Sequence, residues 1–223
     1  MKTANKIGIG VAAIILLIAV YVQAAPQSQF SQTINPGTLT TDIRDASRNS
    51  VANPSVAMSS VTVSFDCQTS TGTFGSNTER IYVDNPGAAD NGWTLTIAAS
   101  STTATWQNAS GTLAFDFNDG AGTPAGCSDG SDTDSYAGQL TINPSVGTIT
   151  TDCSSCNTTG ITLGSSAGFV EGSVDSITLV TAAANSSDVG RWYFTGFSVS
   201  QTIPAEQDSD TYTIDLTLTV TAS

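Results

Sequence analysis

The sequence contains no histidine and few basic residues. Among its 223 residues are six Lys or Arg and nineteen Asp or Glu, which gives a formal net charge of −13. Without histidine, the Ser-His-Asp and Cys-His nucleophile systems and histidine-ligated metals are excluded. A pair of carboxylates suited to glycoside hydrolysis needs a cleft and one acid of raised pKa, whereas most acids here lie in Gly- and Ser-rich segments. We therefore expect that the protein is not an enzyme.

Charge is also scarce overall, and the pattern of a helical protein is missing. Only 11% of the residues are charged while 39% are hydrophobic, and Ser, Thr, Gly and Asn supply most of the remaining polarity. Such a composition favours many short strands joined by turns. The acidic balance repels nucleic acid and anionic lipid headgroups, so neither is an expected partner.

The N-terminus has the features of a secretory signal peptide. Lys2 and Lys6 precede an uncharged apolar run from Ile7 to about Val22, and Val22-Gln23-Ala24 forms a cleavage pattern before Ala25. A retained membrane anchor is the alternative, but the run is shorter than the roughly 20 residues that span a bilayer. We expect residues 1–24 to form a helix that is removed on export, so that the mature protein is secreted to the cell surface without stable membrane insertion.

Apolar and polar residues alternate in several later segments. This period of two is typical of half-buried antiparallel strands. The fold predicted from it is an all-β, Ig-like antiparallel β-sandwich over residues 61–223, preceded by an extended lead-in, residues 25–60, that either stands apart or joins the sandwich. The residues predicted to share a face are Val61, Val63 and Phe65; Trp93, Leu95 and Ile97; Leu113, Phe115 and Phe117; and Tyr212, Ile214, Leu216, Leu218 and Val220.

Two segments of the chain are weakly similar to each other. They are TINPGTLTTDI at residues 33–43 and TINPSVGTITTDC at residues 141–153. In a chain rich in threonine, we interpret them as two comparable strand-turn units rather than as a repeat architecture.

Four cysteines follow the signal peptide: Cys67, Cys127, Cys153 and Cys156. In an exported chain an even number of cysteines favours disulfides, and Cys153 is close enough to Cys156 for a local bridge, which leaves Cys67 with Cys127. A zinc site of four thiolates is the alternative, although Cys67 and Cys127 form no second close pair.

A cluster of aspartates is the only other candidate metal site. Its members lie between residues 116 and 134 and alternate with glycines, a combination of hard oxygen ligands and turning backbone that suits calcium. A solvated acidic loop explains the same pattern, and the spacing is not that of an EF-hand. The candidate calcium ligands are Asp116, Asp119, Asp129, Asp132 and Asp134.

The segment VDNPGAADNGWTLTI, residues 83–97, resembles the first motif of the WxL-domain family of bacterial surface proteins. IPAEQDSDTYTIDLTLTVTAS, at the C-terminus, looks like the family's second motif, and GTLTTDI looks like its opening strand. Leu218 occupies the position of the second motif's tryptophan, and Val220 that of its leucine. The resemblance implies a noncovalent cell-wall-binding module whose ligand is peptidoglycan or another envelope glycan.

Candidate ligand-binding residues follow from this resemblance and from the aromatic segment GRWYFTGF. They are Trp93, Leu95, Arg191, Trp192 and Tyr193, with Trp106 as a further aromatic candidate. Packing in the core is the alternative for Trp93, because it alternates in phase with Leu95 and Ile97. A different class of function remains open, in which the protein is a self-assembling structural subunit of a surface layer or fibre and its lead-in, residues 25–60, adds a strand to the sheet edge of a neighbour. Its partners would then be other surface proteins or further copies of itself.

Overall fold

Strands make up nearly all of the regular structure in this computed structural model. It describes residues 30–87, 91–130, 134–184, 186 and 189–223. The chain divides into two units, Met1–Ile34 and Asn35–Ser223. The expected signal peptide lies outside the described residues, and within those residues no helix is long and apolar enough to cross a membrane.

Fifteen strands and one short 3-10 turn are present in the described residues. The strands are β1 (Thr40–Arg44), β2 (Gln68–Phe74), β3 (Arg80–Asn85), β4 (Trp93–Ala99), β5 (Trp106–Asn108), β6 (Ala114–Phe115), β7 (Gln139–Asn143), β8 (Thr148–Thr151), β9 (Ile161–Leu163), β10 (Ala167–Gly168), β11 (Ile177–Ala182), β12 (Gly190–Thr195), β13 (Phe197–Ile203), β14 (Tyr212–Thr213) and β15 (Leu216–Ala222). The 3-10 turn, Pro144–Val146, separates β7 from β8.

All strand pairs are antiparallel and form four sheets among the described residues. The strand orders are β1-β3-β12-β8 in sheet A, β10-β7-β13-β2 in sheet B, β15-β4-β11-β9 in sheet C and β14-β5-β6 in sheet D. The chain passes from sheet B into sheet A through β2–β3 and β7–β8, and from A into B through β12–β13. The connected strands keep the same neighbour order in the two sheets, β3-β12-β8 in A and β2-β13-β7 in B. We therefore describe A and B as two halves of one bent sheet. The predicted all-β, sandwich-like class is confirmed.

Glycines lie where the strands bend from one half of this sheet to the other. Gly75 and Gly196 have φ angles of 80° and 81°, in the left-handed region that glycine adopts without a Cβ clash. The Gly196 amide donates to the Gly75 carbonyl at 2.8 Å, so the two bends are joined. Gly147, at the third bend, lies beside them, since its Cα is 3.8 Å from the position of a Cβ at residue 196.

Sheet C covers the inner side of the bent sheet. Trp93 in β4 packs on Trp192 and Phe194 in β12, with ring centroids 5.8 and 6.3 Å apart. Strands of sheets A, B and C contribute to one cluster of buried apolar side chains. The alternation predicted for Trp93, Leu95 and Ile97 is confirmed, because all three are buried while Thr94 and Thr96 are not.

The last predicted strand is divided between two sheets. Tyr212 lies in β14 of sheet D, whereas Leu216, Leu218 and Val220 lie in β15 of sheet C. The alternation continues through both strands, but these apolar side chains are only partly buried because β15 is an edge strand.

Part of the lead-in belongs to the sheets. β1 pairs with β3, and the Ser59 amide donates to the Thr71 carbonyl of β2 at 2.7 Å. The two similar segments found in the sequence end in β1 and β8, which are the two edge strands of sheet A.

The prediction of a strand containing Val61, Val63 and Phe65 is wrong. These residues lie in a segment that pairs with no strand of the described chain and bends at Phe65 and Asp66, and their exposed fractions are 41%, 57% and 87%. Alternation indicates that side chains share a face, but it does not supply a neighbouring strand. The strand expected at residues 113–117 is shorter than the pattern, since β6 contains only Ala114 and Phe115.

Both expected disulfides are formed. The Cα atoms of Cys67 and Cys127 are 5.6 Å apart, and those of Cys153 and Cys156 are 5.4 Å apart, which suits a disulfide in both cases. No free cysteine remains among the described residues. The four sulfurs are thus taken up in two separate bridges rather than in a common zinc site.

Removal of the two disulfides is expected to have unequal costs. The bridged residues are 60 positions apart in the first pair and 3 in the second, so the first closes a much longer loop in the unfolded chain. The double variant C67S/C127S should lose about 4 kcal/mol of unfolding free energy, and C153S/C156S about 2 kcal/mol. Urea denaturation followed by tryptophan fluorescence measures both. An equal or larger loss in C153S/C156S would contradict the loop-length explanation.

The bend at Gly75 allows a matched test against Gly172. Both have positive φ, but a Cβ at residue 75 would lie 2.9 Å from the Phe194 carbonyl oxygen, whereas one at residue 172 meets nothing within 4 Å. Gly172→Ala should lose about 1 kcal/mol of unfolding free energy from backbone strain alone, and Gly75→Ala about 3 kcal/mol because strain and overlap combine. Equal losses in urea denaturation would show that the bend tolerates a side chain.

Candidate binding face

The outer face of sheet A carries every basic side chain of the described residues. These are Arg44, Arg48, Arg80 and Arg191; the two lysines precede residue 30. Sheet registers place Arg44 opposite Arg80, Arg191 opposite Asp84, and Tyr193 opposite Tyr82. Because neighbouring residues of a strand point to opposite faces, these side chains are directed away from the core that contains Trp192 and Phe194.

Asp84 joins two of the arginines. Its carboxylate accepts from Arg44 Nη1 at 2.8 Å and from Arg191 Nε at 2.7 Å. Arg44 Nε also donates to Asp42 at 3.0 Å. Burial by itself raises the pKa of the Asp42 carboxyl, but hydrogen bonds from Ser50 and Arg44 outweigh this effect and the pKa is lowered. The strands β1, β3 and β12 are thereby linked by charge-assisted hydrogen bonds across their outer face.

A second ion pair connects the chain segments that follow the two edge strands of sheet A. Arg48 lies in the turn after β1, with a positive φ of 72°, and its Nε and Nη2 both donate at 2.7 Å to the carboxylate of Asp152, which follows β8. The hydrogen bond from Arg48 lowers the pKa of the Asp152 carboxyl and raises that of the guanidinium. Such two-point pairing fixes the direction of the guanidinium as well as its charge.

Two tyrosines support the remaining arginine contacts. Arg80 lies over the Tyr193 ring at 4.4 Å and Arg44 over the Tyr82 ring at 5.2 Å, while the two rings are 5.5 Å apart. Among the described residues Arg80 has no ion pair, and its buried Nε has no hydrogen-bond partner. Arg80 is therefore the one arginine of this face whose charge is not already matched by a carboxylate at contact distance.

The candidate ligand-binding residues from the sequence separate into two groups. Trp93, Leu95 and Trp192 have exposed fractions of 0%, and the Trp192 Nε1 donates to the Asn157 carbonyl at 2.8 Å. Full burial leaves no part of these three side chains open to a ligand, which corrects their assignment to a binding surface and supports the packing alternative for Trp93. Arg191 and Tyr193 lie on the outer face of sheet A.

Sequence reasoning did not include the other members of this face. Arg44, Arg48 and Arg80 come from segments far from Arg191 in the chain, and only the strand order brings them together. The signal available in the sequence was the TTD shared by the two similar segments, since it contains Asp42, which binds Arg44, and Asp152, which binds Arg48.

Trp106 lines a second concave site. Its ring stacks on Phe115 with centroids 5.8 Å apart, and Tyr212 meets Phe115 edge to face at 5.0 Å. Trp106 Nε1 donates to Gln201 Oε1 at 2.8 Å. The cleft has a volume of about 280 Å³ and also contains hydroxyls such as that of Ser70. The rings of Trp106, Phe115 and Tyr212 mainly contact one another, so less ring surface remains open to a ligand.

Leu218, at the position of the WxL family's second tryptophan, lines an open apolar groove. The groove has a volume of about 560 Å³, and Ile43, Met58, Phe74 and Leu216 are among its other lining residues. Leu218 is only partly buried there. The side chain at this position thus belongs to the space between β15 and the bent sheet rather than to the face that carries the arginines.

The expected calcium ligands are only partly described. Asp132 lies outside the described residues, and no group of three or more potential metal ligands is formed within them. The buried Asp119 carboxylate accepts from the amides of Ala121 and Gly130 at 2.9 and 2.8 Å, and so closes its own loop. Calcium binding by Asp116, Asp119, Asp129, Asp132 and Asp134 stays a prediction.

Comparison of the chain with models of known families, with characterised proteins and with solved structures gave no match.

The Arg48–Asp152 pair is expected to make stability depend on pH. The Asp152 pKa is lowered in the folded state, so the contribution of the pair is complete above the unfolded carboxyl pKa of about 3.9 and is lost as the pH falls through the lower folded value. Exposed pairs contribute little to stability, so we expect an effect of at most about 2–4 °C in Tm for a chain of this size. Asp152→Asn should therefore show a smaller fall in Tm between pH 5 and pH 2.5 than the original protein.

Arg48→Gln provides the matched partner variant for this measurement. It should reduce the acid-dependent fall in Tm as much as Asp152→Asn does, and the double variant should reduce it no further, because one interaction is removed in each case. Additive effects in the double variant would mean that the two residues act separately.

Proposed function

We propose that the protein is an exported, non-catalytic surface module that binds a cell-wall glycan noncovalently through the outer face of sheet A. The observation that carries this proposal is the collection of all described basic side chains on one sheet face of a chain with nineteen acids. An anionic polymer is repelled by most of such a chain, so its attachment depends on the region where positive charge is concentrated.

The chemistry of the face suits a wall polymer that bears carboxylates or phosphates beside its sugar rings. Arginine binds either group with two parallel hydrogen bonds, and Arg80 has no competing ion pair within the described residues. Tyr193 offers an aromatic ring next to this charge. Aromatic rings combine an apolar face with a polar edge, as sugar recognition requires.

Two further observations agree with export. Both cysteine pairs are bridged, and disulfides persist in oxidising compartments outside the cytoplasm. The expected signal peptide at residues 1–24 would direct export of the chain, and the resemblance to WxL domains implies attachment to the cell wall.

Sedimentation with purified peptidoglycan tests the proposal. The exported form of the protein is mixed with sacculi that retain their anionic polymers and with sacculi stripped of them, and the free fraction is measured against wall concentration. We expect Arg80→Gln to weaken binding to peptidoglycan about tenfold, equivalent to about 1.4 kcal/mol, and a rise from 50 to 500 mM NaCl to weaken it further.

Variants of two tyrosines separate this face from a general effect of aromatic surface. Tyr193→Ala should weaken wall binding, whereas Tyr136→Ala, which removes a tyrosine that is 43% exposed, should not. Tm values identify any variant that is destabilised. Unchanged sedimentation of Arg80→Gln and Tyr193→Ala would overturn the proposal, and loss of binding in Trp106→Phe alone would move the site to the second cleft.

A further inference from the structure

The segment of residues 60–66, here named the acceptor segment, exposes a row of apolar side chains. Val61, Val63 and Phe65 alternate with polar residues in the sequence, and their exposed fractions are 41%, 57% and 87%. Of the residues between them, Ser64 is partly buried and Thr62 is exposed. An edge strand normally directs its apolar side chains toward the protein, whereas those of the acceptor segment are open to solvent.

The acceptor segment is held in place at both ends. Before it, the Ser59 amide donates to the Thr71 carbonyl at 2.7 Å, and after it Cys67 is bridged to Cys127. In between, the Ser64 carbonyl accepts from the Glu206 amide at 2.7 Å. Within the described chain, residues 60–63 make no backbone hydrogen bond to another residue. The result is a backbone that is anchored at both ends and whose donors and acceptors at residues 60–63 have no backbone partner in the described chain, so that it can accept a strand.

A second segment outside the sheets, residues 30–34, also exposes apolar side chains. Phe30 and Ile34 are 94% and 89% exposed, and their spacing would place them on the same side of the chain once it pairs as a strand. The spacing of four equals that of Val61 and Phe65. After residue 34 the chain is held by contacts within its own copy, because the Gly37 amide donates to the Pro86 carbonyl at 3.2 Å and β1 pairs with β3.

Charge favours contact between these two segments over contact between other parts of two copies. Residues 27–41 and 51–65 contain no charged side chain, in a chain of net charge −13. Most surfaces of two copies repel each other, whereas these two uncharged segments approach without that penalty. Residues 60–65 of the acceptor segment also have the features of strand-pairing sequences, namely β-branched residues, no charge and no proline, and the acidic Asp66 ends the segment.

We propose that residues 30–34 of one copy add as a strand to the acceptor segment of a second copy. This inference goes beyond wall binding and does not depend on it. Phe30 and Ile34 would cover the side of the acceptor segment that is now exposed, and the backbone groups of residues 60–63 would gain partners. Because donor and acceptor are different segments, a single contact leaves a free donor on one copy and a free acceptor on the other, so the assembly grows head to tail unless two copies exchange their donors reciprocally.

Sedimentation velocity of the exported form, with its N-terminus checked by mass spectrometry, tests this pairing between about 1 and 200 μM. The original protein should associate as its concentration rises. The donor variant F30S/I34S and the acceptor variant V63K should each lower the association constant at least tenfold. Val146→Lys is the matched control, since Val146 is 58% exposed outside both segments, and it should associate as the original does.

A mixture of the two defective variants gives the sharpest result. F30S/I34S keeps an intact acceptor and V63K keeps an intact donor, so the mixture should form one-to-one pairs that do not grow, although neither variant associates alone. A monomeric original protein at 200 μM would overturn the proposal. So would a mixture that stays monomeric, or an F30S/I34S variant that associates like the original, which would indicate that acceptor segments pair with each other.

Discussion

Three neighbouring strands bend at one level of a sheet, and the arrangement of the whole molecule depends on the glycines at that level. Gly75 and Gly196 adopt left-handed backbone conformations and bind each other, and Gly147 lies against them. A side chain at Gly75 would overlap the backbone of the adjacent strand. The bend turns one long sheet into two halves, so that both contribute to the core beneath sheet C. The contact between Trp93 and Trp192 is a consequence of this geometry.

The strand β12 connects this core with the candidate binding face. Trp192 and Phe194 point into the core, and Arg191 and Tyr193 point away from it. Because the inner side chains are fully buried and close-packed, the outer ones are placed by a rigid strand rather than by a loop. Ion pairs hold the guanidinium groups of Arg44, Arg48 and Arg191, and the Tyr193 ring supports that of Arg80, so little side-chain entropy would be lost if this face binds a ligand. Packing on one side of the strand thus positions the side chains on the other.

The sequence was sufficient for features that depend on near neighbours in the chain. The period of two identified the buried side of β4, and spacing with an even cysteine number identified both disulfides. It was insufficient where distant segments meet: Arg48 and Asp152 are 104 positions apart, and nothing local links them. It was misleading at Val61, Val63 and Phe65, since alternation defines a side of a strand but not whether that side is covered. For Trp93, the same alternation correctly favoured the core over an exposed binding surface.

Charge and topology together separate two surfaces of the protein. Arginines occupy the outer face of sheet A, while the acceptor segment, uncharged up to Phe65, leads into β2, an edge strand of sheet B on the other side of the bend. Acidic residues predominate over the rest of the chain and disfavour contacts there, both with anionic polymers and with further copies. The proposed wall attachment and the proposed strand pairing between copies would therefore use different parts of the bent sheet. Since neither surface needs the groups of the other, a row of copies linked through their acceptor segments could remain bound to a wall through sheet A if both proposals hold.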